Sequence, residues 1–174
     1  MTVSVFVGVS VDGFMARLDH DLDWLPEGGG EPHGYAEFLA GVDALVIGRN
    51  TFAKVMTFEP WPYGSKRVVV LSSRPLGLPS SIGSSVEQMG GSPAEIVARL
   101  AKSGAMNLYV DGGITIQRFL RAGLVDRLII TRVPVLIGEG IPLFSTLPHD
   151  IHLRHVATRS FPSGLVQSEY EVLR

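Results

Sequence analysis

Three short segments put chemically capable residues directly behind apolar runs: "GRNTF" after "ALVI", "SSRP" after "VVVL", and "DGGIT" after "LYV". In the last, Gly112 and Gly113 have no side chains to hold a ligand away from the backbone amides, and a helical pattern begins at Ile114 and Thr115. A phosphate at such a helix start gains on the order of 0.3–2 kcal/mol from the dipole. A tight strand-to-helix turn would also require a glycine for steric reasons alone. "GRNTF" repeats the theme. Arg49 can pair with a phosphate while Thr51 and the amides beside Gly48 and Asn50 hold its oxygens; alternatively Arg49 is a solvated surface residue and Asn50 or Thr51 a cap. Ser72, Ser73 and Arg74 offer two hydroxyls and a cation, or a polar turn before Pro75. The G-x-G-x-x-G fingerprint is absent.

Two arginines and two serines near one phosphate suit the 2'-phosphate that distinguishes NADPH from NADH. Each charge-assisted hydrogen bond contributes roughly 1.5–3 kcal/mol, or about 10- to 100-fold in affinity.

These residues meet only if the elements before them share a sheet edge. "VSVFVGVS" (3–10), "ALVIG" (44–48), "KRVVVLSS" (66–73) and "MNLYV" (106–110) read as strands buried on both faces. Between them lie helical patterns: one with Tyr35, Phe38, Leu39 and Val42 on one face, one opening at "GRNTF", and "SPAEIVARLAKSG", with Ser92 as cap and Gly104 as stop. "ITIQRFLRAG" supplies another helix and "DRLIITRVPVLI" another strand. The C-terminal stretch alternates around residues 161–164 as an antiparallel hairpin. Residues 17–34 read as a long loop. Alternating strands and helices imply a three-layer α/β/α domain over residues 1–174, with a mostly parallel sheet and antiparallel C-terminal strands. Ligands of such sheets bind beyond the carboxyl ends of the strands.

Composition agrees with one globular unit. The chain has 174 residues, 45% of them apolar and 18% charged, with 20 glycines and 11 prolines. Fifteen basic and 17 acidic side chains give a formal charge of -2, and no basic run favours nucleic acid or an anionic membrane. Without cysteine there is no thiolate metal site or thiol nucleophile. The start of the chain lacks a basic n-region and reaches Asp12 before a membrane-spanning length, so the expectation is a cytoplasmic protein. His152 and His155 would face opposite sides of a strand, which argues against a metal site.

"SVDGFMA", "VIGRNTF", "VVVLSSRP", "VDGGITIQRFLRAGLVDRLIIT" and "PVLIGEGIPLF", in that order, resemble the dihydrofolate-reductase-like superfamily, in particular stand-alone relatives of the riboflavin-biosynthesis reductase domain. The resemblance implies the dihydrofolate-reductase-like fold and an NADPH-dependent reductase. Hydride would go to a C=N or C=O group of a small heterocyclic or sugar-derived molecule, of the 5-amino-6-(5-phosphoribosylamino)uracil or pterin kind.

By motif position, the resemblance puts Gly48, Arg49, Asn50 and Thr51 on the pyrophosphate and 2'-phosphate, and Ser72, Ser73 and Arg74 at the adenosine end. Asp111, Gly112, Gly113, Ile114 and Thr115 would lie against the pyrophosphate and nicotinamide. Val7, Gly8, Met15 and Ala16 would flank the nicotinamide, under a lid from Asp12 to Pro26.

Reduction also needs a proton. Asp12, Asp23, Glu31 and Glu37 are candidate donors, although Asp12-Gly13 is equally a favoured turn pair. Thr131 corresponds to a substrate-contacting position. Pro32, His33 and Gly34 stand where dihydrofolate reductases carry their acid, Asp111 replaces the usual Glu of the riboflavin enzymes, and "FAKVMTFEPWPYGSKR" occupies the place of their phosphate-recognising segment. The rival from another class is a non-catalytic NADPH-binding protein. A homodimer is expected from the family and from the apolar C-terminal segments.

Overall fold

The computed structural model describes residues 1–27 and 30–174. Gly28 and Gly29, within the loop expected at 17–34, lie outside the described residues. Among the described residues the central sheet has eight strands, in the order β5-β4-β3-β6-β1-β7-β10-β9. Its middle is built from the apolar runs: β1 (Thr2–Ser10), β3 (Ala44–Gly48), β4 (Arg67–Leu71) and β6 (Asn107–Asp111). They pair in parallel with one another, with β5 (Val86–Met89) and with β7 (Arg127–Val133). β9 (Leu153–Ser160) and β10 (Val166–Val172) form the expected hairpin and join β7 in antiparallel register. Gly164, in the turn at φ 89°, donates to Phe161 O at 2.9 Å.

Helices cover both faces, as the alternation requires. Val3, Val5 and Val7 of β1 pack with Ile96 and Leu100 of α3 (Pro93–Lys102) and with Ile116 and Phe119 of α4 (Gly113–Arg121). On the other face, Leu45, Ile47 and Tyr109 pack with Phe52 of α2 (Arg49–Val55), and Tyr35, Phe38 and Leu39 of α1 (Tyr35–Ala40) lie against this cluster. Each fully buried Leu, Ile, Val or Phe contributes roughly 1.5–3 kcal/mol. α3 carries the capping box expected of Ser92: its hydroxyl accepts from the Glu95 amide, while the Glu95 carboxylate accepts from the Ser92 amide at 2.7 Å.

Three local features differ from the sequence reading. β3 runs into α2 without a spare residue, so Gly48 occupies the N-cap position and Asn50 and Thr51 lie inside the first turn rather than capping it. β5 is an additional edge strand; "VEQM" is too short and polar to declare itself. The segment after Asp12 is not free loop from its start: β2 (Phe14–Ala16) pairs with β8 (Ile141–Pro142) in a two-stranded ribbon.

Candidate active site

β4, β3 and β6 are neighbours, with Gly48 opposite Leu71 and Ile47 opposite Asp111. The three expected strand ends therefore lie side by side, and α2 and α4 start from two of them. Neither helix has a side-chain cap. Their starts interlock across the strands. A Cβ on Gly48 would come within 2.8 Å of Thr115 Oγ1 on α4, and one on Gly112, at φ 96°, would collide with Thr51 Oγ1 on α2. A Cβ on Gly113 would press on Ile141 at 3.0 Å and on the Pro142 carbonyl oxygen at 3.2 Å. The glycine pair thus answers first to the protein's own packing: Gly112 by backbone conformation and Gly113 by the approach of β8.

Four cavities that share lining residues form a continuous groove along this edge. The first, of about 450 Å³, lies between Arg49, Ser72, Ser73, Arg74 and Arg118. Within it the Ser72 hydroxyl closes a turn, accepting from the Arg74 amide at 3.1 Å and donating to the Arg74 carbonyl at 2.7 Å. Gln88 Nε2 braces the same turn through the carbonyls of Ser72 and Arg74. Arg118 is an addition to the expected set; its position one helical turn beyond Thr115 was the available signal. The second cavity, about 440 Å³, shares Arg49 and Arg118 with the first and is lined by Gly48, Asn50, Thr51, Gly112, Gly113, Ile114 and Thr115.

The central cavity, about 220 Å³, shares Asn50, Thr51, Gly112 and Gly113 with the second and adds Val7, Gly8, Met15 and Ala16. Its cover is the segment after β2. His20 and Leu22 line it; Asp21 accepts from Lys54 Nζ of α2 at 3.0 Å, and His20 Nε2 lies 3.5 Å from Asn50 Nδ2. Arg17 pairs with Asp23 at 2.5 Å inside the same segment.

Asp111 stands at the junction of the central cavity and an outer one of about 620 Å³, and lines both. Its Oδ1 accepts from the Gly112 amide at 2.7 Å. Burial beside Tyr109 raises its pKa to about 6, against the opposing pull of the Gly112 amide and the Tyr109 hydroxyl. Burial, reinforced by the Asp111 charge, likewise pushes the Tyr35 phenol up to about 12 and raises those of Tyr63 and Tyr109, so all three stay protonated at neutral pH. Tyr109 donates to the Phe6 carbonyl at 2.9 Å.

The outer cavity is walled by Phe6, Tyr35, Phe58, Tyr63 and Tyr109 and also receives Thr131 and Glu37. Thr131 is buried and accepts from Gln167 Nε2 at 3.0 Å; Gln167 Nε2 also reaches the His33 carbonyl at 3.0 Å, and its Oε1 accepts from Arg159 at 2.6 Å. Glu37 lies exposed at the mouth.

Asp12 is not among the residues lining the groove. Its carboxylate accepts from the Ile137 amide at 3.3 Å and the Gly138 amide at 2.8 Å. The Ser10 hydroxyl and these amides hold it below the usual carboxylate range. A turn does form here, with the Gly13 amide donating to Ser10 O at 2.9 Å, but the Asp12 carboxylate reaches the distant amides of residues 137 and 138 rather than its own turn or the groove. Asp23 is engaged by Arg17, and Glu31 by the Ser163 amide at 3.2 Å. Asp111 was expected only on the cofactor side; an acid closing a buried strand ahead of two glycines was its signal.

The family model of the RibD C-terminal domain matches residues 1–167. The chain is 33% identical over 169 residues to protein YwjB of Bacillus subtilis (strain 168), covering 95% of each chain. It is 36% identical to a Shewanella sp. PV-4 protein assigned to riboflavin biosynthesis, whose crystal structure superposes with a TM-score of 0.92 over the whole of both chains. The fold is shared with dihydrofolate reductase from Enterococcus faecalis, a structure complexed with NADP(H): TM-score 0.69 at 21% identity, covering 99% of this chain and 97% of that one. Sequence and fold agree, and the chain belongs to the RibD C-terminal domain family.

Proposed function

We propose that this protein is an NADPH-dependent reductase of a small heterocyclic molecule. The observation that carries the reading is the continuity of the groove, from a three-arginine end, past two uncapped helix starts, to a carboxyl group shared by two cavities. An elongated cofactor with phosphates at one end and a reactive ring at the other fits that order of chemistry.

Arg49, Arg74, Arg118 and Ser73 would hold the 2'-phosphate end, with Ser72 keeping the turn that presents Ser73 and Arg74. Gly48, Asn50, Thr51, Gly112, Gly113, Ile114 and Thr115 would hold the pyrophosphate through backbone amides and the two threonine hydroxyls. Gly8, Met15 and Ala16 would border the nicotinamide. When bound, NADPH supplies hydride; the protein supplies position, exclusion of water and a proton. The segment tied down by Lys54 and Asp21 excludes water from the central cavity. Asp111, rather than Asp12 or Glu37, is our proton donor, because its carboxyl borders both cavities and is held near neutrality. Thr131, fixed by Gln167, presents a polar contact to a C=N or C=O substrate in the outer cavity.

The test is a pair of titrations followed by turnover. NADPH is expected to bind about 10- to 100-fold tighter than NADH, and Arg74→Ala to erase most of that difference. Oxidation of NADPH by members of a panel of pterins, pyrimidines and small carbonyls completes the case. Equal affinity for the two cofactors overturns the phosphate assignment, and tight NADPH binding with no turnover on any compound favours a non-catalytic binding protein.

A further inference from the structure

We infer that the substrate is a planar heterocycle that carries no phosphate and is neutral or cationic where it enters the outer cavity. This rests on the reductase reading and names its substrate class. The charge around the outer cavity is one-sided. Among the described residues lining it are three carboxyl groups, Glu31, Glu37 and Asp111, and no lysine or arginine. Glu31 and Glu37 belong to the segment 30–37 that forms one wall.

The cations near this end of the molecule do not line the outer cavity. Arg159 directs Nη2 to Gln167 Oε1 at 2.6 Å and to the His33 carbonyl at 3.3 Å, while its guanidinium rests 5.7 Å from the centre of the Phe161 ring. Lys54 lines the central cavity, where it pairs with Asp21. The remaining arginines of the groove, Arg49, Arg74 and Arg118, lie at its far end.

A dianionic phosphate entering the outer cavity would give up water for carboxylates and aromatic rings, with no lysine or arginine in the lining to replace it; the imidazole there, of His33, has its Nδ1 2.9 Å from the Glu31 carbonyl oxygen. A flat, uncharged ring gains from the same surroundings. Phe6, Tyr35, Tyr63 and Tyr109 offer apolar and edge-to-face contact. Polar recognition remains available from Thr131 and from Asp111, which can donate to or accept from an amide or amidine edge. A cationic or protonated ring nitrogen would be favoured by Glu31 and Glu37.

The inference predicts a difference between two otherwise identical ligands. Neopterin and its monophosphate, and a ribitylated diaminouracil and its 5'-phosphate, are titrated calorimetrically into NADPH-loaded protein and into the Glu37→Arg variant. The phosphate-free member of at least one pair is expected to bind the wild type at least about 10-fold tighter, and Glu37→Arg to narrow that gap by strengthening the phosphorylated member. Phosphorylated members that bind the wild type equally or more tightly overturn the inference, as does failure of every ring compound to bind. NADPH titration of the same samples separates this from failure of the reductase reading: a protein that does not bind NADPH refutes the latter, whereas one that binds NADPH and prefers phosphorylated rings refutes only the substrate class.

Discussion

At the scale of single residues, Asp111 decides the most. A carboxyl group with a pKa near 6 is partly protonated at neutral pH, whereas one in the ordinary range would be almost wholly ionised. Asp111→Asn keeps the shape and can still accept from the Gly112 amide, but it holds no transferable proton. It should bind NADPH nearly as well as the wild type and lose about 10²- to 10⁴-fold in turnover. The wild-type rate should fall as pH rises through about 6, a limb absent from the variant's profile. Stability falls in the same direction as activity when pH rises. A folded pKa raised above the unfolded value stabilises below the ordinary carboxylate range, and that contribution is lost as pH rises through about 6. Above that pH, Asp111→Asn should therefore melt higher than the wild type, by no more than about 3 kcal/mol from a shift of this size. Equal melting temperatures for the two proteins at pH 5 and pH 8 would remove the buried-acid assignment. The flanking glycines teach a different lesson about legibility. "DGG" announced a special backbone, but only tertiary packing reveals that Gly112 is crowded by Thr51 and Gly113 by β8. Gly113→Val should therefore cost stability as well as cofactor affinity, and a variant with an unchanged melting temperature would show that β8 yields freely.

At the scale of elements, the buried parallel strands were legible because both faces are covered, leaving near-continuous apolar runs. α3 was legible because its capping box is local. What escaped was specified by distant partners. β2 and β8 are three and two residues long, and their pairing across more than a hundred residues leaves no periodic signal. β5 gains its strand character from β4. The same logic applies to the cover of the central cavity, whose attachment to α2 among the described residues includes a partly exposed ion pair and a long His20–Asn50 contact. An exposed pair contributes only about 0–1 kcal/mol to global stability, so its effect should appear in ligand binding instead. Lys54→Met is expected to leave the melting temperature within about 2 °C of wild type and to raise the KM for NADPH severalfold, with a steeper rise in faster release of the cofactor. Stopped-flow release of NADPH measures this directly, and an unchanged release rate would mean that the segment does not gate the cavity.

At the scale of the whole molecule, the groove crosses residues from β1, β2, α1, β3, α2, β4, β5, β6, α4, β7 and β8, elements scattered from residue 2 to residue 142. The order of the motifs along the chain anticipated their convergence because parallel strands all end at the same edge. The one-sided charge of the outer cavity was not anticipated, since its acids come from a loop, a short helix and a strand end that no sequence period connects. The exposed surface bears on assembly. β9 is exposed along all eight residues, including Leu153 and Val156, and its bulge opposite Glu169 and Tyr170 interrupts the register that a further strand would need. A homodimer through this region would form by side-chain packing rather than by extending the sheet. Light scattering should give twice the chain mass, and Val156→Asp should return the monomer. A wild-type monomer at micromolar concentration would rule this surface out.

Because the groove joins so many elements, cofactor binding and global folding must be linked. A ligand that binds only the folded chain stabilises it by about 2.7 kcal/mol at 100 times its Kd and by about 4.1 kcal/mol at 1,000 times. For a domain of this size each kcal/mol raises the melting temperature by roughly 2–4 °C. NADPH at saturating concentration should therefore raise it by about 5–15 °C. NADH at the same concentration, lacking the phosphate that Arg49, Arg74 and Arg118 would meet, should raise it less, by the 3–6 °C that a 10-fold weaker Kd implies. Raising ionic strength should shrink the gap between the two cofactors more than the smaller shift itself, because the three arginines lie at an open, partly solvated end of the groove. A gap insensitive to salt would place the discrimination in the central cavity, away from the arginines.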